Sequence, residues 1–343
     1  MTRGSQRRRV VSMCLLTAMT VAGWSCKSAS VGSAIGTTTM PRSRLLTQAP
    51  SDVASASFRG RWFDGNAELS GYQVTQPRYG ELRSGQLVLT YVTEPMNKTT
   101  RIKDDDAVKD NRLDVIKLNA NLSFLTGIYP YAVMTSVFAP IDRWQGEDAF
   151  SPVKITTTVQ EWCGHTFHGI WPGDAEIGER LMSYFASEGE TNRLIPRPSK
   201  TLFEDALLIQ LRELDGAFAG GGNWDGYVVP SLWRIRRAHV PVVPLAASIT
   251  RTSIRKQDTE VTQFTLVMGA FTKVIDVEAG GDHRILGWTT SDGETAQLLS
   301  TAKLPYWQLN HTGDESHRQE LGLKPEAEAF PIVPPSLPGS VGK

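Results

Sequence analysis

Apolar and polar residues alternate along much of the chain between residues 57 and 323. The pattern is clearest over residues 86–93, where Leu87, Leu89 and Tyr91 alternate with Val88, Thr90 and Val92. A period of two puts successive side chains on opposite faces of a strand. The same reading predicts strands over 67–75, 114–122, 131–138, 153–162, 181–185, 226–237, 245–254, 262–277 and 283–290, with Gly80 and Gly85 among the turn residues. Only residues 200–215 carry a helical period, with Leu202, Phe203, Ala206, Leu207, Gln210, Leu211 and Leu214 on one stripe, Ser199 placed to cap the start and Gly216 to end it. The expected fold is mainly β: a large curved antiparallel sheet or open barrel with one amphipathic helix packed on it.

The two ends of the chain have other patterns. Residues 1–25 combine a basic start ending at Arg9, an apolar run from Val10 to Ala22 and small residues Gly23 and Ser25, which together read as an export signal. The apolar run is shorter than the roughly 20 residues that cross a bilayer. Cys26 directly follows and is the expected lipidation site, although Trp24 fits a lipobox poorly. The alternative is an ordinary signal peptide with an incidental cysteine. Residues 26–56 then read as a flexible tether, 57–323 as the β-rich body, and 324–343, with five prolines from Pro325 to Pro338, as an extended tail.

Charge sharpens this picture. The 36 basic and 36 acidic residues balance, but Arg3, Arg7, Arg8 and Arg9 lie in the signal, where there are no acids. Their removal leaves 32 basic residues against 36 acidic, so the mature chain is net acidic. Such a body has no electrostatic reason to seek nucleic acid. Of the three cysteines, Cys14 leaves with the signal and a lipidated Cys26 is blocked, so Cys163 stands alone and no intramolecular disulfide is expected.

The densest cluster of reactive side chains is Glu161, Trp162, Cys163, Gly164, His165, Thr166, Phe167 and His168. A thiol beside imidazoles has the ingredients of a nucleophile or a zinc site. On a continuous strand, however, Cys163 and His165 share a face that His168 does not, and the favoured reading is a buried structural cysteine flanked by partly exposed histidines. The acidic run Asp104–Asp106 lacks the spaced ligands of a calcium loop and reads as a solvated hairpin tip. The Gly220–Gly222 run lacks the residues of a phosphate loop. No cofactor and no metal is expected. Aromatics at Tyr129, Tyr131, Tyr306 and Trp307 suit either sheet packing or an apolar cavity.

Five segments carry a family resemblance: Arg78-Tyr79-Gly80-Glu81, Lys117-Leu118-Asn119, Thr126-Gly127-Ile128-Tyr129-Pro130-Tyr131 leading to Met134-Thr135-Ser136-Val137-Phe138, Gln160-Glu161-Trp162-Cys163-Gly164-His165, and Arg284-Ile285-Leu286-Gly287-Trp288. Together they resemble an uncharacterised family of bacterial exported lipoproteins, sometimes labelled septum formation inhibitor Maf. The chain has neither the Ser-Pro-Arg-Arg type loop nor the α/β pattern of the Maf pyrophosphatases, so the resemblance implies no activity, cofactor or active site. In architecture alone, the expected body is similar to carriers that move lipids and lipoproteins across the periplasm.

The expectation is therefore an exported, membrane-tethered, non-enzymatic protein whose concave sheet binds an apolar ligand or an envelope partner. Its anchor is placed at the periplasmic face of the outer membrane rather than the inner membrane, because Lys27 stands where inner-membrane retention uses Asp. The rival is a thiol-dependent hydrolase or metal-binding enzyme centred on Cys163 with His165, His168 and Glu161.

Overall fold

The computed structural model describes residues 56–324 apart from 215–217 and 219–222. The signal, the tether with Cys26, the Gly220–Gly222 run, Gly216 and the Pro-rich tail lie outside the described residues. Fifteen strands form one sheet in the order β8-β7-β6-β5-β4-β3-β2-β1-β15-β14-β13-β12-β11-β10-β9. The first half is an up-and-down meander: β1 (Ala67–Arg78), β2 (Glu81–Asn97), β3 (Arg112–Thr126), β4 (Tyr129–Pro140), β5 (Lys154–Glu161), β6 (Gly164–Pro172), β7 (Glu176–Ser183) and β8 (Glu190–Pro196). The second half holds β9 (Thr201–Phe203), β10 (Trp224–Val229), β11 (Leu245–Lys256), β12 (Thr259–Met268), β13 (Phe271–Glu278), β14 (Ile285–Thr290) and β15 (Thr295–Leu304). Every pairing is antiparallel except β9 with β10.

Turn chemistry sets the hairpins. Tyr79 and Gly80 both take positive φ between the paired Arg78 and Glu81, the signature of a type I′ turn whose twist matches its strands. Gly127 takes positive φ ahead of Ile128 between the paired Thr126 and Tyr129, which makes a type II′ turn. The two halves join where β1 pairs with β15 from Ala67↔Leu304 to Thr75↔Thr295, with a bulge between Gly71 and Tyr72. A Cβ at Gly71 would collide with the carbonyl of Leu321. Glycine there lets the 3₁₀ segment Asp314–Leu321 lie on β1 and β15.

Although β8 and β9 are opposite edges of the sheet, only residues 197–200 connect them. That link can reach no more than about 18 Å, so the sheet curls until its edges nearly meet. Leu87, Leu89 and Tyr91 of β2, Ile116, Leu118 and Phe124 of β3, and Ile155 and Val159 of β5 point to the concave side, in one core with the helices α1 (Ala56–Trp62), α2 (Leu207–Glu213) and α3 (Leu232–Ala238). Trp62, Leu211 and Leu232 are each at most 1% exposed, so the helices fill the concavity.

The mainly-β expectation holds; some elements differ. The helix expected over 200–215 is a short strand, a 3₁₀ turn over Glu204–Ala206 and then α2, because Thr201–Phe203 pair with Tyr227–Val229. Ser199 therefore caps nothing at α2, whose start is Ala206. The strand expected over 226–237 ends at Val229. Pro230 has no N–H for a ladder, and Glu204 and Asp205 accept hydrogen bonds from the amides of Ser231 and Leu232, starting α3. The strand expected over 262–277 is two, turning at Gly269 with positive φ.

An ion network ties α2 to the sheet. Arg212, 1% exposed at its side chain, donates to both oxygens of Glu68 at 2.6 and 3.1 Å and to the carbonyl of Asp282. Arg61 reaches the same carboxylate at 2.8 Å. Burial works against ionisation of Glu68, but the two guanidiniums hold it below the usual carboxylate range.

Candidate functional site

The hairpins β1–β2, β3–β4, β5–β6 and β7–β8 turn at the same end of the sheet, and the β14–β15 turn joins them, since Thr295 pairs with Thr75 and a Cβ at Gly293 would meet Leu82. The chain enters the body at the other end, where Trp62 of α1 donates from its indole to Glu213 and Arg61 pairs with Glu68 at the start of β1. The twelve residues of β1 hold these ends about 36 Å apart.

The hairpin end carries a concentration of exposed apolar side chains: Tyr79 at 56%, Leu82 at 61%, Ile128 at 81%, Trp162 at 68% and Tyr184 at 73%. These are not scattered residues. A row of rings climbs out of the core, with Phe124 stacked on Tyr131 at 5.0 Å, Tyr131 beside Tyr129 at 6.0 Å, and Tyr129 stacked on Trp162 at 6.1 Å. The Arg78 guanidinium lies 4.2 Å over Tyr79 and donates to the hydroxyls of Tyr79 and Tyr131 and to the carbonyl of Arg237. It thereby fixes the row against the C-terminal turn of α3. Ring–ring and cation–ring contacts of this kind orient aromatics at the surface.

Acids stand between the rings, and arginines answer most of them: Arg83 pairs with Glu81, Arg236 with Glu188, and Arg237 with Asp292 and Glu294. The surface is apolar with a rim of paired charges.

The reactive cluster is split by the fold. Cys163 sits at the β5–β6 tip and is exposed, not buried as expected, because the two-residue turn at Trp162 and Cys163 projects beyond the last strand pair Glu161↔Gly164. Its amide donates to Glu161 at 2.7 Å, and the hydrogen bond and charge of that carboxylate push the thiol up. A nucleophilic cysteine needs the opposite shift. His165 is exposed and lines an open groove of about 590 Å³ on the convex face, with Gln160, Met134 and Phe167. That groove is bordered by Arg318 and Leu323 of the C-terminal segment. His168 points to the concave side, 4% exposed, and bonds Glu179 at 2.8 Å. Among the described residues no group of three or more His, Cys, Asp or Glu side chains is placed to hold a metal.

His168 belongs instead to a polar constellation that sequence reasoning missed. Glu179 of β7 lies between His168 of β6 and Arg193 of β8. Burial opposes its charge, while hydrogen bonds from both neighbours hold it below the usual carboxylate range. Across a cavity of about 250 Å³, Glu188 accepts from Arg236 at 2.5 Å, contacts His239 Nδ1 at 2.6 Å and accepts from Ser183 at 2.6 Å. His239 holds positive φ at the end of α3.

The remaining candidates are peripheral. The Asp104–Asp106 run lies in the β2–β3 connection, where Asp104 accepts from Asn97 and Lys103 pairs with Asp105. Tyr306 and Trp307 form an edge-on pair at 5.5 Å in a 3₁₀ turn.

No family model matches the chain, and no curated protein matches it. Among solved structures, it is similar to a β-barrel-like protein of the domain of unknown function DUF1849 from Brucella abortus, at 10% identity and a TM-score of 0.41, over 69% of this chain and 97% of that one.

Proposed function

We propose that this protein is a non-enzymatic binding module of the cell envelope, tethered through a lipid on Cys26 to the periplasmic face of the outer membrane, and that its hairpin end is the contact surface for an envelope partner. The observation that carries the reading is the concentration of exposed rings at that end, Tyr79, Trp162 and Tyr184, joined through the half-buried Tyr129 to the buried stack of Phe124 and Tyr131. A soluble surface rarely exposes such a patch without a contact to make, and large aromatics anchor interfaces. The concave face expected to take an apolar ligand is filled by α1, α2 and α3, which favours a partner at the rim over a guest within the sheet.

Polarity of the tether supports the same reading. The chain enters at α1, so the rim lies at the end of the body away from its attachment. The rim's charges are paired among themselves, which leaves no basic excess to draw the rim to an anionic lipid surface and suits a partner with an apolar face.

The test is site-specific photo-crosslinking in cells, with the crosslinker at Trp162 or at Arg255 of the far end. A discrete adduct from position 162 that disappears with Tyr129→Ala, together with lipid labelling of wild type but not Cys26→Ala, is expected. Equal or absent adducts from both positions would remove the basis for the contact surface, and an unlipidated Cys26 would remove the anchor.

A further inference from the structure

The cavity between β6, β7, β8 and the end of α3 is lined by charged groups, most of them away from the aromatic rim. We propose that it binds a small organic anion, with a carboxylate or phosphate head and a short apolar body. Its volume of about 250 Å³ exceeds the roughly 150 Å³ that accommodates a benzene-sized guest.

The head group follows from which hydrogen-bonding capacity is spent. Each oxygen of Glu179 is already engaged, one with His168 and one with Arg193. Each oxygen of Glu188 is engaged too, one with Arg236 and His239 and one with Ser183. A guanidinium carries five N–H donors and no acceptor, so Arg193 and Arg236 retain donors after these pairs. Thr191 and Ser187 add hydroxyls to the lining. The two guanidiniums balance the two carboxylates, and the buried Nε of Arg236 still has no hydrogen-bond partner, so the free capacity in the cavity is donor capacity. A guest that supplies acceptors and negative charge completes this set, because charge-assisted bonds from Arg are the strong ones.

The body follows from the other wall. Leu181, Ile235, Val240 and Pro241 line the same cavity and offer an apolar surface to a ring or short chain. Arg236 is 7% exposed; its place is fixed by the pair with Glu188 and by Phe185, whose ring lies 5.1 Å from the guanidinium. The donor is therefore held in place before any guest arrives.

The experiment uses the full chain and three probes of one size: benzoate, phenyl phosphate and the neutral benzyl alcohol. Isothermal titration is expected to show saturable one-site binding of benzoate, phenyl phosphate or both, the stronger identifying the head group, and none of benzyl alcohol. Arg193→Gln and His239→Gln change side chains that are 44% and 50% exposed, so the fold survives. Each is expected to weaken binding about tenfold with an unchanged circular dichroism spectrum, while Lys256→Gln at the far end leaves it unaltered. Failure of both anions to bind saturably, equal binding of benzyl alcohol, or affinities indifferent to Arg193 and His239 would overturn the assignment.

Discussion

Replacement of Arg212 by Met tests the account of how α2 is held against the sheet. The guanidinium is 1% exposed, bonds both oxygens of Glu68 and the Asp282 carbonyl, pairs with Glu213 at 3.1 Å and lies 4.6 Å from the Tyr91 ring. Methionine retains much of the volume and none of the charge. Glu68, 3% exposed at its side chain, then keeps only Arg61, and Glu213 keeps the Trp62 indole. Breaking a buried pair by removing one partner costs about 3–5 kcal/mol, chiefly through the charge left behind. Removal of both charges in Arg212→Met with Glu68→Gln should cost less than either the sum of the single changes or Arg212→Met alone. Urea denaturation followed by tryptophan fluorescence gives the four corners of the cycle at constant slope. The Glu68 carboxylate is held low, so the stability that it contributes is complete above the unfolded pKa and is lost as pH falls through the lower native value. The coupling should therefore shrink in acid. A cost below about 1 kcal/mol for Arg212→Met, or strict additivity at neutral pH, would refute the reasoning.

Two further outcomes are expected. Asp205 is half-buried; burial and the neighbouring Glu204 carboxylate push it up to about 6 against the hydrogen bond from the Leu232 amide. A raised carboxyl is favoured protonated in the native state, so its contribution is present below the unfolded value near ~4 and is lost as pH rises through 6. Asp205→Asn should flatten the stability profile between those limits and be the more stable form at pH 8, by about 1 kcal/mol or more. Equal destabilisation at pH 4 and pH 8 would contradict this. Cys163 should alkylate in the folded protein as readily as exposure allows yet slowly near pH 7, and Glu161→Gln should speed it, because the carboxylate raises the thiol. Labelling that waits for unfolding would show the thiol to be buried after all.

The β half of the fold was legible because its inner strands alternate cleanly. Ile116, Leu118, Leu122 and Phe124 of β3, like Leu87, Leu89 and Tyr91 of β2, report a buried face directly. Edge strands send no such signal. In β8 only Ile195 is buried, so its sequence reads as polar loop. The segment that becomes α3 is rich in Leu, Trp, Ile and Arg and reads as a continuation of the preceding strand, although Pro230 marks the break and Leu232, Trp233, Ile235 and Arg236 share a helical face. Alternation alone separates His165 from His168; Cys163, expected on the same strand face as His165, lies instead in the turn between the strands. The burial of Cys163 was misjudged because a reactive side chain at a hairpin tip escapes the average preference of its residue type. Glu179, Glu188, Arg193 and Arg236 were invisible as a set. Glu179, Glu188 and Arg193 share the β7–β8 hairpin, but Arg236 comes from α3, and only the curl of the sheet brings it to the same cavity.

The place of β1 in the sheet has a consequence for how the chain assembles. Strands β1 to β8 form in order through neighbouring hairpins, so that half can grow as it is synthesised, with local contacts throughout. The other flank of β1 has no partner until β15, more than two hundred residues later, pairs Ala67 with Leu304 and Thr75 with Thr295. Until then a strand destined for the middle of the sheet presents an open row of amides and carbonyls, the situation in which chains recruit one another. A chaperone or a slow release of the growing chain would be required at that stage rather than at any later one, and truncations that remove β15 should aggregate although every residue of the first eight strands is intact.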